Sequence, residues 1–249
     1  KHNIELVLFN LLDELNENEI EKKAAKCDIV FNNSSEGFAL EFVKTLESLG
    51  KKVIDPSSSS YYIEDKWLFS LKCKQNKIPA PETILLSENI AFAKKELNEF
   101  NKWPVILKRV EGTCGEYVDM AKNLSEAEKT IKRFWKKGSE KLPIIAQEYI
   151  ESPCYRITLI DGEIVQTAIK KSKSWKSTGV YAKKIGRFEI TPELEEIVKK
   201  IVKSMDIKVC GIDLLKKNDQ WFALEINSDP AFDFFESKRE ELISKVIEF

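Results

Sequence analysis

The first 55 residues alternate between short apolar runs and longer amphipathic stretches. "IELVLFN" (4–10), "DIVFNN" (28–33) and "KKVID" (51–55) read as strands, while the segments 13–26 and 36–49 between them read as helices. Strand–helix–strand–helix–strand with short connections predicts a small parallel sheet packed by helices. The tract "PSSSS" (56–60) interrupts the pattern, and Trp67, Leu68 and Leu71 then recur at the spacing of a helix over 63–76. "IPAPET" (78–83) is predicted to be extended, because each proline disfavours helix in the residue before it. Next come a helix (88–100), a strand (103–110), a glycine-bearing loop (111–118), a helix (125–137) and a strand (143–150). Asp161-Gly162 marks a hairpin turn within "YRITLIDGEIVQTAIKK". A helix over 192–205, two apolar strands joined by "KKNDQ", and a closing helix near 236–248 complete an α/β chain built from α+β lobes.

Composition narrows the chemistry. The chain has 249 residues, 43% of them apolar, which is enough to bury a sizeable core. No apolar run approaches the roughly 20 residues that cross a bilayer, and "KHNIELVLFN" lacks the pattern of a signal peptide, so a cytoplasmic protein without a membrane partner is expected. Forty basic against 41 acidic residues leave a formal charge of −1, which argues against a nucleic-acid partner. Cys27, Cys73, Cys114, Cys154 and Cys210 never approach a C-x-x-C spacing and fit reduced thiols better than disulfides or a zinc site. The single histidine, His2, lies at the terminus, so triads and metal sites that need a fixed imidazole are excluded. Carboxylates, lysines, arginines, backbone amides and a hard cation remain.

The segment "CGIDLLKKNDQWFALEINSDP" (210–230) sets carboxylates inside runs apolar enough to be core strands, a cost unless their charge is compensated. Asp213 points away from Ile212 and Leu214, and Glu225 and Asn227 share a face, because strand side chains alternate. Antiparallel pairing across the polar turn brings the three groups together. Oxygen donors without nitrogen or sulfur suit Mg²⁺, with Mn²⁺ as a substitute, and Mg²⁺ commonly takes one or two carboxylates plus substrate phosphates. A solvated sheet face is the alternative, and it sets acid opposite acid, which destabilises.

Other segments suit a phosphorylated ligand. In "VILKRVEGTCG", Lys108 ends an apolar strand, and the loop from Gly112 through Thr113 to Gly115 offers amides to a triphosphate; a plain turn is the alternative. In "IIAQEYIES", Gln147 and Glu148 interrupt a strand that can read an adenine base, or else simply face solvent. "AIKKSKSWKSTG" carries Lys170, Lys171, Lys173 and Lys176, either a solvated loop or a clamp on transferred phosphate.

In this order, the segments resemble the ATP-grasp superfamily, specifically the RimK-like carboxylate–amine ligases, a group that includes ribosomal-protein glutamate ligases and LysX-type enzymes. "EDKWLFSLKCKQNKIPAPET", "PVILKRVEGTCG", "AQEYI" and "CGIDLL…ALEINSDPAF" carry the resemblance, over about residues 60–240. It implies an ATP-grasp fold with a short N-terminal parallel βαβαβ lobe over 1–60, an opening helix and lid over 61–150, and a metal-bearing subdomain over 151–249. It also implies that Lys66 and Lys108 contact ATP phosphates, that Gly112, Thr113 and Gly115 cover them, and that Gln147, Glu148, Tyr149 and Ile150 line the adenine. Arg156 and Lys176 are then catalytic, Lys171 joins the residues that bind the nucleotide, and Asp213, Glu225 and Asn227 hold Mg²⁺. The implied reaction phosphorylates a carboxylate with ATP and lets an amine, from an amino acid or peptide, attack the acyl-phosphate. The acceptor is a small molecule or a carrier or acceptor protein, and apolar surface on the short lobe is compatible with a homodimer.

The departures from the family pattern cluster at the lid and the acceptor end. Tyr117 stands at a usual glycine, Cys154 near a usual acid and Thr178 at a usual asparagine, and the usual N-x-x-P-G has become Asn227-Ser228-Asp229-Pro230-Ala231. They motivate a rival expectation, an ATP-binding module that has lost ligation and serves as a regulatory or interaction protein.

Overall fold

The structure is a computed structural model that describes residues 4–11, 16–32, 34, 37–112, 115–136, 141–172, 174–176, 184–228, 230 and 234–248. The N-terminal lobe contains α1 (Glu17–Ala24), β1 (Ile29–Phe31), α2 (Gly37–Ser48) and β2 (Lys52–Ile54). β1 and β2 pair in parallel from Ile29↔Lys52 to Phe31↔Ile54. The predicted first strand is not formed: residues 4–10 carry no strand, and the sheet has two strands instead of three. This segment packs instead of pairing, with the Phe9 ring edge-on to Phe42 at 6.1 Å, while Leu6 and Leu8 stay exposed.

The serine tract is helical, contrary to the break that its composition predicts. It forms α3 (Ser57–Glu64), followed by α4 (Lys66–Gln75). The Glu47 carboxylate on α2 accepts from the Ser57 amide at 2.8 Å and from its hydroxyl at 2.6 Å, satisfying first-turn donors from outside the segment. The lobe is fastened to the rest of the chain nearby. Ser59 Oγ donates to the Asp206 carbonyl, and the Asp55 carboxylate accepts from the amides of Lys208 (2.7 Å) and Val209 (3.1 Å).

Next follow β3 (Thr83–Leu85), α5 (Ile90–Phe100), β4 (Val105–Arg109), β5 (Val118–Ala121), α6 (Leu124–Trp135) and β6 (Ile144–Glu148). Their strands make an antiparallel sheet in the order β3-β6-β4-β5. Side-chain alternation sends Val105 and Leu107 into a core with Leu97, Ile131 and Phe134 of the helices. Ile106 and Lys108 point to the opposite side.

The second sheet contains β7 (Cys154–Ile160), β8 (Glu163–Lys171), β9 (Lys184–Gly186), β10 (Cys210–Lys217) and β11 (Gln220–Asn227), in the order β11-β10-β7-β8-β9. The β7–β8 turn is the predicted hairpin, with Asp161 and Gly162 both at positive φ (51° and 75°). α7 (Pro192–Met205), opened by a Thr191 cap, covers one face, and Ile157, Leu159, Ile212 and Leu214 pack there with Leu194 and Ile201 and with Phe69 and Cys73 of α4. The same alternation turns Arg156, Lys170 and Asp213 to the other face. α8 (Glu236–Glu248) closes the chain. The short strands β3, β5 and β9 go beyond the pattern.

Candidate active site

The two larger sheets face each other across a cleft of about 490 Å³ open to solvent. Ile106, Val118, Ile150, Leu215 and Leu224 make its apolar walls, Trp175 adds an aromatic ring, and Lys108 and Lys176 add cations. Such an apolar slot with a few convergent polar groups is the usual character of a small-molecule site. Gln147, Glu148 and Tyr149 complete the part where the chain passes from β6 to β7. There the side chains are engaged by the protein: Gln147 Nε2 donates to Thr83 Oγ1 at 3.0 Å, and Glu148 pairs with Lys217 at 3.2 Å. Ser152 Oγ accepts from the Lys216 amide at 2.9 Å and pins the linker to β10.

The glycine loop is held at both ends by predicted phosphate lysines. Lys66, in the first turn of α4, donates to the Gly112 carbonyl at 2.7 Å, and Lys176 donates to the Gly115 carbonyl at 2.7 Å. Both glycines have positive φ (136° and 70°). Thr113 and Thr178 lie outside the described residues. Tyr117, at a position where the family usually has glycine, keeps the left-handed backbone of a glycine (φ 49°). Its ring stacks on the Arg109 guanidinium at 3.6 Å and meets Phe134 edge-on, contacts that offset the conformational cost of about 1 kcal/mol.

Asp213 sits at the centre of the buried face, 1% exposed. Arg156 grips it with two bonds, Nε to Oδ1 at 2.6 Å and Nη2 to Oδ2 at 3.0 Å, and Lys170 Nζ reaches Oδ1 at 2.9 Å. Burial opposes the charge of Asp213, but the two cations outweigh it and hold the carboxyl well below the ordinary range. Directly across the β10–β11 ladder stands Glu225. A bulge lies between Asp213↔Glu225 and Leu214↔Ala223; since Ala223 and Ile226 both enter the core, Leu224 and Glu225 turn in succession to the cleft side. Glu225 makes no hydrogen bond or ion pair with any described residue, and Asn227 Nδ2 is buried without a partner. Lys108, buried at the cleft, has its pKa lowered by desolvation, partly opposed by the charge of Glu225. Burial likewise pushes the Cys154 and Cys210 thiols far up, so neither supplies a thiolate.

These groups fit a hard divalent cation. Glu225 offers carboxylate oxygens that bond no described residue, and Asn227 offers an amide oxygen, whereas both oxygens of Asp213 are already taken by cations. No group of three or more His, Cys, Asp and Glu able to hold a metal occurs among the described residues, and an ion held here would take further ligands from outside the protein. Lys171 is exposed at the end of β8, and the neighbouring Lys170 is the residue turned inward. The sequence names Lys170 only as one of four clustered lysines and the resemblance gives it no role of its own, yet a sharper signal was present: the parity that buries Gln166 and Ala168 also buries Lys170. Trp175 and Ser152 are further cleft residues without a sequence signal.

The family model of the RimK-like ATP-grasp domain matches residues 63–248. The coenzyme gamma-F420-2:alpha-L-glutamate ligase of Methanocaldococcus jannaschii is 27% identical over 248 residues, covering 86% of this chain and 84% of the relative. The enzyme of the same name from Methanococcus maripaludis is 30% identical over 208 residues, covering 80% and 70%. Among solved structures, D-alanine–D-alanine ligase from Bacillus anthracis with ATP superposes with a TM-score of 0.73 over 94% of this chain and 82% of that one, at 18% identity. A RimK domain protein from Sphaerobacter thermophilus does so with a TM-score of 0.71 over 95% and 96%, at 13% identity. At such identities the structural likeness is one of fold.

Proposed function

The chain belongs to the RimK-like ATP-grasp family and is an ADP-forming carbon–nitrogen ligase, and on that footing we propose that it joins a carboxylate to the amine of an amino acid through an acyl-phosphate made in the cleft between the two sheets. The observation that carries this reading is the order of groups along the cleft. The apolar slot beside the β6–β7 linker is lined by Lys108 and Lys176, and Lys108 in turn lies within electrostatic reach of the facing pair Asp213 and Glu225. The slot suits a base, the lysines suit its phosphates, and the acid-rich end suits a cation.

The roles follow from position. The linker residues Glu148, Tyr149 and Ile150 bind the base at an edge stiffened by the Glu148–Lys217 and Ser152–Lys216 contacts. Lys108, buried and partly uncompensated, is ready for an anion. Lys66 and Lys176 exchange the carbonyls of Gly112 and Gly115 for phosphate oxygens, which lets the loop settle over the nucleotide. Glu225 and Asn227, joined by Asp213, hold Mg²⁺, which when bound neutralises phosphate charge. Arg156 stabilises charge developing on the transferred group. The lobe over 1–60 shapes the acceptor side. L-Glutamate is the amine assigned first, because the relatives above are named as alpha-L-glutamate ligases.

The test is ADP release with Mg²⁺, L-glutamate and a panel of carboxylates that includes glutamyl-ended small molecules and protein tails. Release that needs both partners, together with a hydroxamate trapped by hydroxylamine, supports the reading. Binding of Mg–ATP without ADP release for any pair overturns it in favour of a nucleotide-binding module.

A further inference from the structure

Two buried cations share one buried carboxylate at the proposed metal site, while the carboxylate facing it has none. Arg156 and Lys170 both bond Asp213, and Glu225 makes no ion pair with any described residue. The two cations differ in how firmly they are placed. Arg156 makes two bonds to Asp213, and its guanidinium lies over Gly211, where an added Cβ would sit 2.3 Å from Nη1. Lys170 reaches Asp213 through one bond, and beyond that its ammonium meets the Phe234 ring at 6.0 Å. An ammonium on a flexible stem with a single bond is the partner that can leave.

We propose that Lys170 is a built-in cation that occupies the metal's place on Asp213 until the metal arrives with the nucleotide. The inference rests on the metal site of the functional reading above. With Lys170 on Oδ1, a free divalent ion meets only Glu225 and Asn227, too few ligands for firm binding. A metal–nucleotide complex brings its own phosphate oxygens as ligands and an anion to which the displaced ammonium turns. Lys170 thereby couples the two binding events, and it is a positioning residue in that capacity.

The experiment counts bound Mn²⁺ by electron paramagnetic resonance, with and without ADP, for wild type, Lys170→Met and Lys170→Arg. Wild type is expected to bind Mn²⁺ weakly alone and firmly with ADP. Lys170→Met is expected to bind Mn²⁺ alone about tenfold or more tighter, since the competing charge-assisted bond is gone, and to gain less from ADP. Lys170→Arg keeps a competing cation and is expected to follow wild type. Unchanged or weaker Mn²⁺ binding in Lys170→Met, with ADP binding intact, overturns the inference alone. Failure of wild type to bind Mn²⁺ even with ADP overturns the functional reading as well. Should Lys170→Met not fold, a structure of wild type with Mn²⁺ and ADP decides. Lys170 Nζ displaced from Asp213 Oδ1 supports the proposal, and Nζ still bonded to it rejects the proposal.

Discussion

The Arg156 guanidinium fills the space that a side chain at Gly211 would need: a Cβ there would lie 2.3 Å from Nη1 and 3.0 Å from Cδ. The glycine before Ile212-Asp213 is thus a packing requirement of the arginine that holds Asp213. Gly211→Ala is expected to push Arg156 off the carboxylate, cost about 1–3 kcal/mol of stability, and lower ADP release at least tenfold. Urea denaturation and a turnover assay check both effects; a variant that matches wild type in each would remove Gly211 from the site.

Asp213 and Glu225, facing each other across the β10–β11 ladder, are expected to separate stability from binding. Asp213→Ala strands two buried cations and is expected to cost about 3–5 kcal/mol in denaturant unfolding.

Glu225→Gln removes a charge that makes no hydrogen bond or ion pair with any described residue, so unfolding is expected to change by about 0.5 kcal/mol or less. Mg²⁺-dependent binding of a non-hydrolysable ATP analogue should nonetheless disappear in calorimetry. Retained Mg²⁺ dependence would move the metal elsewhere.

Lys108 is a buried cation that makes no hydrogen bond with any described residue. Lys108→Met is expected to leave stability unchanged or raised, because burying the charge is unfavourable. Loss of one charge-assisted phosphate contact should weaken ATP binding about 10- to 100-fold. A destabilised variant with normal ATP affinity would contradict the assignment.

Asp55 joins the N-terminal lobe to the turn before β10, and burial raises its pKa from 3.8 to about 6 despite the two backbone amides that donate to it. Below pH 3.8 the carboxyl is neutral in both states. As pH rises toward 6 the unfolded chain releases a proton that the folded one keeps, so stability falls, by about 3 kcal/mol at most once pH exceeds the folded value. Denaturant unfolding between pH 4 and pH 7 should show that slope in wild type, and Asp55→Ala should flatten it. An identical slope in both would exclude Asp55 as its source.

Much of the candidate site was legible along the chain. Asp213, Glu225 and Asn227 were marked by oxygen-bearing groups inside apolar runs, and Lys108 by its place at the end of one. Tyr117 shows the limit of residue-by-residue matching: it departs from glycine in identity yet keeps a left-handed backbone, because Arg109 and Phe134 pack its ring. The serine tract misled because the groups that stabilise its helix start, the Glu47 carboxylate oxygens, lie on another helix.

By itself the sequence determined the long elements and, away from the bulge in β11, the side of each strand on which a residue falls, since a period of two or 3.6 is a local property of the backbone. It also narrowed the chemistry to be considered, by offering oxygens and lysines and a single histidine, His2. Only the tertiary structure decided which cation meets which carboxylate. Arg156 reaches Asp213 from the adjacent strand β7 and Lys170 from β8, one strand further away, while Glu225, facing Asp213 beside the bulge, makes no ion pair with any described residue. Those pairings are set by register and packing between segments 43 and 57 residues apart, where desolvation makes each charge depend on its neighbours in space.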